Sequence, residues 1–195
     1  MDDTAASRPR RPRRRRLAGA LILAAALAFG GIDQYIGSLF SNFATAVSVM
    51  SAPWLLLPFA AGAVQVTRRS AAGVGLAATW LAVIGYVLMI DSPAEGAHPT
   101  VQLLAATARS QWPWFLGGLI SGPGYGLLGY FWRARRSWLS AVLAAIPVLL
   151  EPVANRLGFR PSIDITAGYA EATAGLVLAV YFGYVLARAR RAPVA

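Results

Sequence analysis

Between Trp112 and Trp132 the chain reads WPWFLGGLISGPGYGLLGYFW, without a single charged residue. About 21 residues at about 1.5 Å rise make a helix of roughly 31 Å, close to one hydrocarbon thickness. Such a segment can cross a bilayer if its backbone groups are paired within itself. At its centre stands Gly122-Pro123-Gly124. A proline there removes one backbone hydrogen bond and crowds the preceding turn. Two arrangements fit. Gly118, Gly122 and Gly126 recur every four residues, so a kinked helix can pack closely on its neighbours through a face of small residues. Alternatively the helix is broken, and Gly122, Pro123, Gly124 and Tyr125 line a substrate site with freed backbone groups. Gly124-Tyr125-Gly126 is not a potassium filter, because the preceding Thr-Val is missing and the segment is a full span.

The rest of the chain repeats the pattern. Charged residues make up 13% of the 195, where a soluble domain carries about 25%, and mean hydropathy is +0.54. Apolar runs occupy 17–36, 43–66, 71–90, 112–132, 137–154 and 163–187. They predict an all-α fold: a polytopic six-helix transmembrane bundle spanning 17–188. Pro53 and Pro58 lie in the second run, Pro147 and Pro152 in the fifth. Residues 91–111 form a polar loop in which Val101, Leu104, Ala105 and Ala108 recur at helical spacing, predicting a short interfacial helix. A second loop covers 155–162.

Arginine sets the expected threading. All 18 basic residues are arginine, and fifteen of them fall before the first run, after the second, after the fourth and after the sixth. Only Arg109, Arg156 and Arg160 occupy the alternate loops. The positive-inside rule then places both termini in the cytoplasm of a multi-pass plasma (inner) membrane protein. The acids reverse the bias: Asp33, Asp91, Glu95, Glu151, Asp164 and Glu171 lie at the other face, and only Asp2 and Asp3 lie inside. Trp54, Trp112 and Trp114 fall at outer helix ends and Trp132 and Trp138 at inner ends, as interfacial rings prefer; Trp80 falls mid-helix and is expected to pack internally. Residues 1–16, with seven arginines, read as a disordered cytoplasmic tail attracted to anionic lipid rather than to nucleic acid, and 189–195 as a second cytoplasmic tail. Leu17 to Phe29 also fits a signal-peptide core with Ala26-Leu27-Ala28 as a cleavage site; the apolar stretch continues past Phe29 and favours an uncleaved anchor.

Three constellations could carry function. One is the broken or kinked centre of the fourth run. The second is a set of acids near the outer third of the membrane: Asp33 with Gln34, Glu151 and Glu171. A carboxylate in hydrocarbon costs about 2.5–3.5 kcal/mol on insertion scales, so these side chains should face the bundle, a cavity or the interface. If they converge they form an outward-facing site for a cation, an amine or a proton, and Arg156 and Arg160 are available to pair with them. The third is the stripe Ala20, Ala24, Ala28, a face able to dock a membrane protein partner or a second copy of the chain. No catalytic residue, metal ligand set or cofactor motif is found. The lone histidine, His98, lies in a loop, cysteine is absent, and no phosphate-binding glycine loop occurs.

Pro53-Trp54 with Arg68-Arg69, and Pro113-Trp114 with Arg135-Arg136, make a faint internal similarity. Ser51-Ala52-Pro53-Trp54 running to Phe59-Ala60-Ala61-Gly62, with Gly85-Tyr86 and the stretch from Trp114 through GLISGPGYGLLGY, resembles an actinobacterial integral-membrane family catalogued as a domain of unknown function. The resemblance covers roughly 43–153 and implies a small polytopic inner-membrane protein with no inherited activity. The architecture is also loosely similar to the substrate-binding subunits of energy-coupling-factor transporters. The expectation is therefore a membrane protein without enzymatic activity. It would bind or transport a small molecule or cation from its outer face, or else dock partner helices in the lipid bilayer.

Overall fold

The computed structural model describes residues 11–39, 50–154, 157 and 165–191, and the regular elements among them are helices, with no strand. The helices are α1 (Arg11–Ser38), α2 (Ser51–Ala63), α3 (Arg68–Ile90), α4 (Val101–Ser110), α5 (Trp112–Arg135), α6 (Trp138–Ala154) and α7 (Ile165–Arg191), with a 3-10 turn at Pro93–Glu95. The helical ladder of α1 begins at Arg11, so the basic stretch expected to be disordered up to residue 16 is helical over its last turns. Arginine is a good helix former and Pro12 falls in the first turn, where proline is tolerated. The beginning of the tail, residues 43–49 of the second apolar run and the loop 155–162, except Leu157, lie outside the described residues.

Caps explain several boundaries. The Thr67 side chain accepts the Ser70 N–H at 3.1 Å and starts α3 three residues before the apolar run does. Thr100 does the same for α4 through Leu103. The short helix expected from the spacing at 101–108 is therefore present, and its Leu104, Thr107 and Ala108 are the half-buried positions. At the other end of the bundle, α5 stops where Arg136 turns left-handed at φ 49° and returns its N–H to the Trp132 carbonyl.

Three segments are long and apolar enough to cross a membrane: Leu17–Ser38, Arg68–Ile90 and Gly168–Arg188. They mark the chain as a membrane protein. Of the six expected spans, the others differ. The described part of α2 has 13 residues and α6 has 17. α5 has the length, with 24, but glycine, proline and tryptophan dilute its apolar character. Leu17, Leu21 and Ile32 on α1 and Leu176, Val177 and Val180 on α7 point outward, as lipid-facing residues do.

Four helices form a compact unit around glycine. α5 lies against α2 and α3, and α1 lies on the far side of α3. Gly118, Gly122, Gly126 and Gly129 of α5 are all buried. A Cβ on Gly122 would stand 2.9 Å from the Leu76 Cα, and one on Gly126 would meet the Ala71 carbonyl. Gly30 and Gly85 bring α1 and α3 together equally closely, each facing the other helix's backbone. Trp80, half-exposed, pins α3 to α5 by donating its indole N–H to the Phe115 carbonyl at 3.1 Å. α6 and α7 pair on the flank, where Phe182 fills the space between Phe59 and Trp132 with ring centroids 5.9 and 4.6 Å away. The two ends of the bundle differ in charge. Arg68, Arg135 and Arg136 lie over the Phe131 and Trp132 rings at one end. Asp33, Asp91, Glu95, Glu151 and Glu171 gather at the other.

Candidate functional site

The acid-bearing end is organised by the first turn of α2. A helix leaves its first backbone N–H groups without intrahelical partners. The residue preceding α2, Met50, has no side-chain oxygen to offer and makes no capping bond. Glu151, 100 positions away on α6, takes that role. Its Oε1 accepts the Ser51 N–H at 2.8 Å and the Ser51 hydroxyl at 3.0 Å. Its Oε2 accepts the Ser51 N–H at 2.9 Å and the Ala52 N–H at 3.1 Å. Three donors thus hold the carboxylate, with the Ser51 N–H shared between its two oxygens. The positive end of the helix dipole favours the anion there.

Glu171, on the first described turns of α7, faces this carboxylate. It is 4% exposed, and neither of its oxygens has a hydrogen-bond partner. It nevertheless lies beside the Glu151 carboxylate. The two observations agree once donors are counted. Two ionised carboxylates offer only acceptors, so a bond between them exists only when a proton, or another positive species, stands between.

Asp33 does not join this pair. It is 7% exposed and lies beside the Trp54 indole, while its Oδ2 has no hydrogen-bond partner. Trp54 packs edge-on against Phe29 at 5.3 Å and against Tyr86 at 6.0 Å. Gln34 is half-buried beside it. Among the described residues α1 touches α2, α3 and the 3-10 turn, but neither α6 nor α7. The expected single convergence of acids is therefore two sites, one on each side of the first turn of α2. Ser51 and Ala52 serve Glu151, and Trp54, in the same turn, lies beside Asp33. Arg156 and Arg160 lie outside the described residues.

The centre of α5 is no part of either site. The α-helix runs without interruption through Gly122-Pro123-Gly124, so the unwound lining expected as one alternative is absent. A proline removes only its own N–H, and the packing of Gly118, Gly122 and Gly126 holds the helix on both sides of it. Gly122 is buried in that seam, Pro123 is half-buried, and Gly124 faces outward with open space at its Cβ position. Tyr125 reaches its hydroxyl toward the Leu143 carbonyl of α6, a long bond of 3.4 Å. Ala20, Ala24 and Ala28 are exposed, and α1 uses Ala26, Gly30 and Gly31 for its contact with α3.

Searches against family models, curated proteins and solved structures return no match.

Four functional positions carry no signal as site residues in the sequence. Ala52 acts through its backbone N–H, and Ser51 through its N–H and its hydroxyl. Tyr86 and Phe29 belong to apolar runs and become neighbours only when α1, α2 and α3 pack. Asp91 is structural, accepting the Thr107 hydroxyl at 2.9 Å and tying α4 to the end of α3.

Proposed function

We propose that this chain is a six-span plasma-membrane protein, with both termini in the cytoplasm, that binds a small monovalent cation or a proton at Glu151 and Glu171 from the outer face and serves its transport. One observation carries the reading. Glu151 is held by three donors at the start of α2, whereas Glu171, buried against it, has both oxygens unpartnered. Burying a second carboxylate beside a fixed one is costly unless a positive charge comes with it. Glu171 is the side from which that charge binds, because Glu151 is already held by the start of α2 and Glu171 is not.

The protein in lipid nanodiscs should be stabilised saturably by sodium, potassium, ammonium or acidification, because a ligand that binds only the folded state raises its stability. Glu171→Gln should keep its helicity and lose that response. Persistence of the response in Glu171→Gln would exclude the pair as the site. The threading is tested apart: reporters fused after Arg69 and Ala195 should read cytoplasmic, and one after Gln111 periplasmic. A periplasmic reading at Ala195 ends the six-span scheme.

A second reading, a non-catalytic protein that docks partner helices, draws on Ala20, Ala24 and Ala28, which no helix of this chain covers among the described residues. It expects a complex, with another membrane protein or a second copy, that Ala24→Leu abolishes while the cation response is retained. An unchanged complex in that variant would discard it.

A further inference from the structure

Two carboxylates outside the Glu151–Glu171 pair lie near one ring, and the helix that carries one of them, α1, touches the 3-10 turn that carries the other. Tyr86, near the end of α3, lies within electrostatic reach of both Asp33 and Glu95. Asp33 comes from α1 and Glu95 from the 3-10 turn that follows α3. Each keeps one buried oxygen without a partner, Oδ2 on Asp33 and Oε1 on Glu95. Asp33 is more than nine-tenths buried, and the neutral indole of Trp54 lies beside it. Phe29, Trp54 and Tyr86 form a continuous aromatic wall beside it. The corner therefore holds two negative charges, three rings and, among the described residues acting on Asp33, no cation.

We propose that this corner, between α1, α2 and α3, binds an organic ammonium ion. Asp33 and Glu95 take the charge and N–H groups of the ligand, and the ring faces take its alkyl groups. The chemistry separates this ligand from a metal ion. Calcium requires six to eight oxygen ligands and magnesium near-ideal octahedral geometry, and among the described residues no three acidic or histidine side chains cluster tightly enough to hold a metal. An alkylated cation needs fewer oxygens and gains from aromatic faces, which attract it through their quadrupole. The position suits entry from water. Pro93 and Ala94, which precede Glu95, are exposed at the end of the bundle.

The site is independent of Glu171, and so is its test. Tetramethylammonium and butylammonium are titrated calorimetrically into the full-length protein in nanodiscs. The wild type should bind at least one of them saturably. Asp33→Asn should weaken that binding at least about tenfold, the effect of losing one desolvated charge contact. Tyr86→Leu, which removes a ring and leaves Asp33 in place, should weaken it by a similar factor and serves if Asp33→Asn does not fold. Glu171→Gln should bind as the wild type does. No saturable binding by the wild type overturns the proposal, as does unchanged affinity in both Asp33→Asn and Tyr86→Leu. Displacement of the organic cation by an equal concentration of sodium would identify an inorganic-ion site instead and would also overturn it. Loss of binding in Glu171→Gln would show a single shared site and refute the independence claimed here.

Discussion

Gly126 and Gly175 are both glycines in the middle of long helices with a neighbour close to the Cβ position, and they do opposite things. A Cβ on Gly126 would run into the backbone carbonyl of Ala71, and the reverse side of the seam is glycine as well, at Gly75. A Cβ on Gly175 would stand 2.9 Å from Cδ2 of Leu149, the far end of a side chain that can turn away. The first glycine holds two helix backbones in contact; the second sits under an adjustable side chain. The bundle is thus built in two ways. α1, α2, α3 and α5 are joined backbone to backbone through small residues. α7 is joined to that unit by side chains, Phe182 against Phe59 and Trp132. In a membrane, where lipid tails are as apolar as leucine, close contact and hydrogen bonding do most of the holding. The glycine unit should accordingly be the rigid part and the flank the adaptable one.

The comparison can be broken by direct measurement. Gly126→Ala should have the largest effect. The helices must separate to admit the methyl group, and overpacking of this kind costs about 3 kcal/mol, read as an earlier transition in a mixed-micelle denaturation followed by circular dichroism. Tolerance of this change would remove the distinction between the two halves. Glu151→Gln comes next. It replaces a charge-assisted cap by a neutral one and should cost about 1.5–2 kcal/mol. If the cap matters less than that, the flank is held by its rings alone. Gly175→Ala should be smallest, within about 0.5–1 kcal/mol of the wild type in either direction. The gain in helix propensity is of the same size as the cost of moving Leu149.

Much of this is legible in the sequence, and what is not has a common cause. The apolar runs locate the helices because a membrane segment must satisfy its backbone internally over a fixed length. The four-residue recurrence of Gly118, Gly122 and Gly126 announces a packing face, and that face is buried. The spacing of Val101, Leu104, Ala105 and Ala108 announces α4, though only Leu104 and Ala108 of the four are half-buried. Periodicity along one helix does not reveal which face meets a neighbour. The Ala20, Ala24, Ala28 stripe is the more regular pattern on α1, yet the contact falls on Ala26, Gly30 and Gly31. The facing glycines at 62, 75 and 85 acquire meaning only from the crossing geometry. Pro123 reads locally as a helix breaker, and the packing on both sides of it overrides that tendency. The acids stand out by the cost of burying them, but their division into two sites does not. It depends on α1 standing apart from α6 and α7. The link between Glu151 and the start of α2 joins residues 100 positions apart, with no local pattern to betray it.

That separation has a consequence for how the protein is made. Chains grow at about 5–20 residues per second, so Glu151 is synthesised roughly 5–20 s after Ser51. Throughout that interval the leading N–H groups of α2 lack the carboxylate that will receive them. Unpaired backbone donors are not tolerated in hydrocarbon. The start of α2 therefore receives its cap only once α6 has been made. The last seating of α2 in the bundle is thus a late event in biogenesis, although α2 is among the first helices to leave the ribosome.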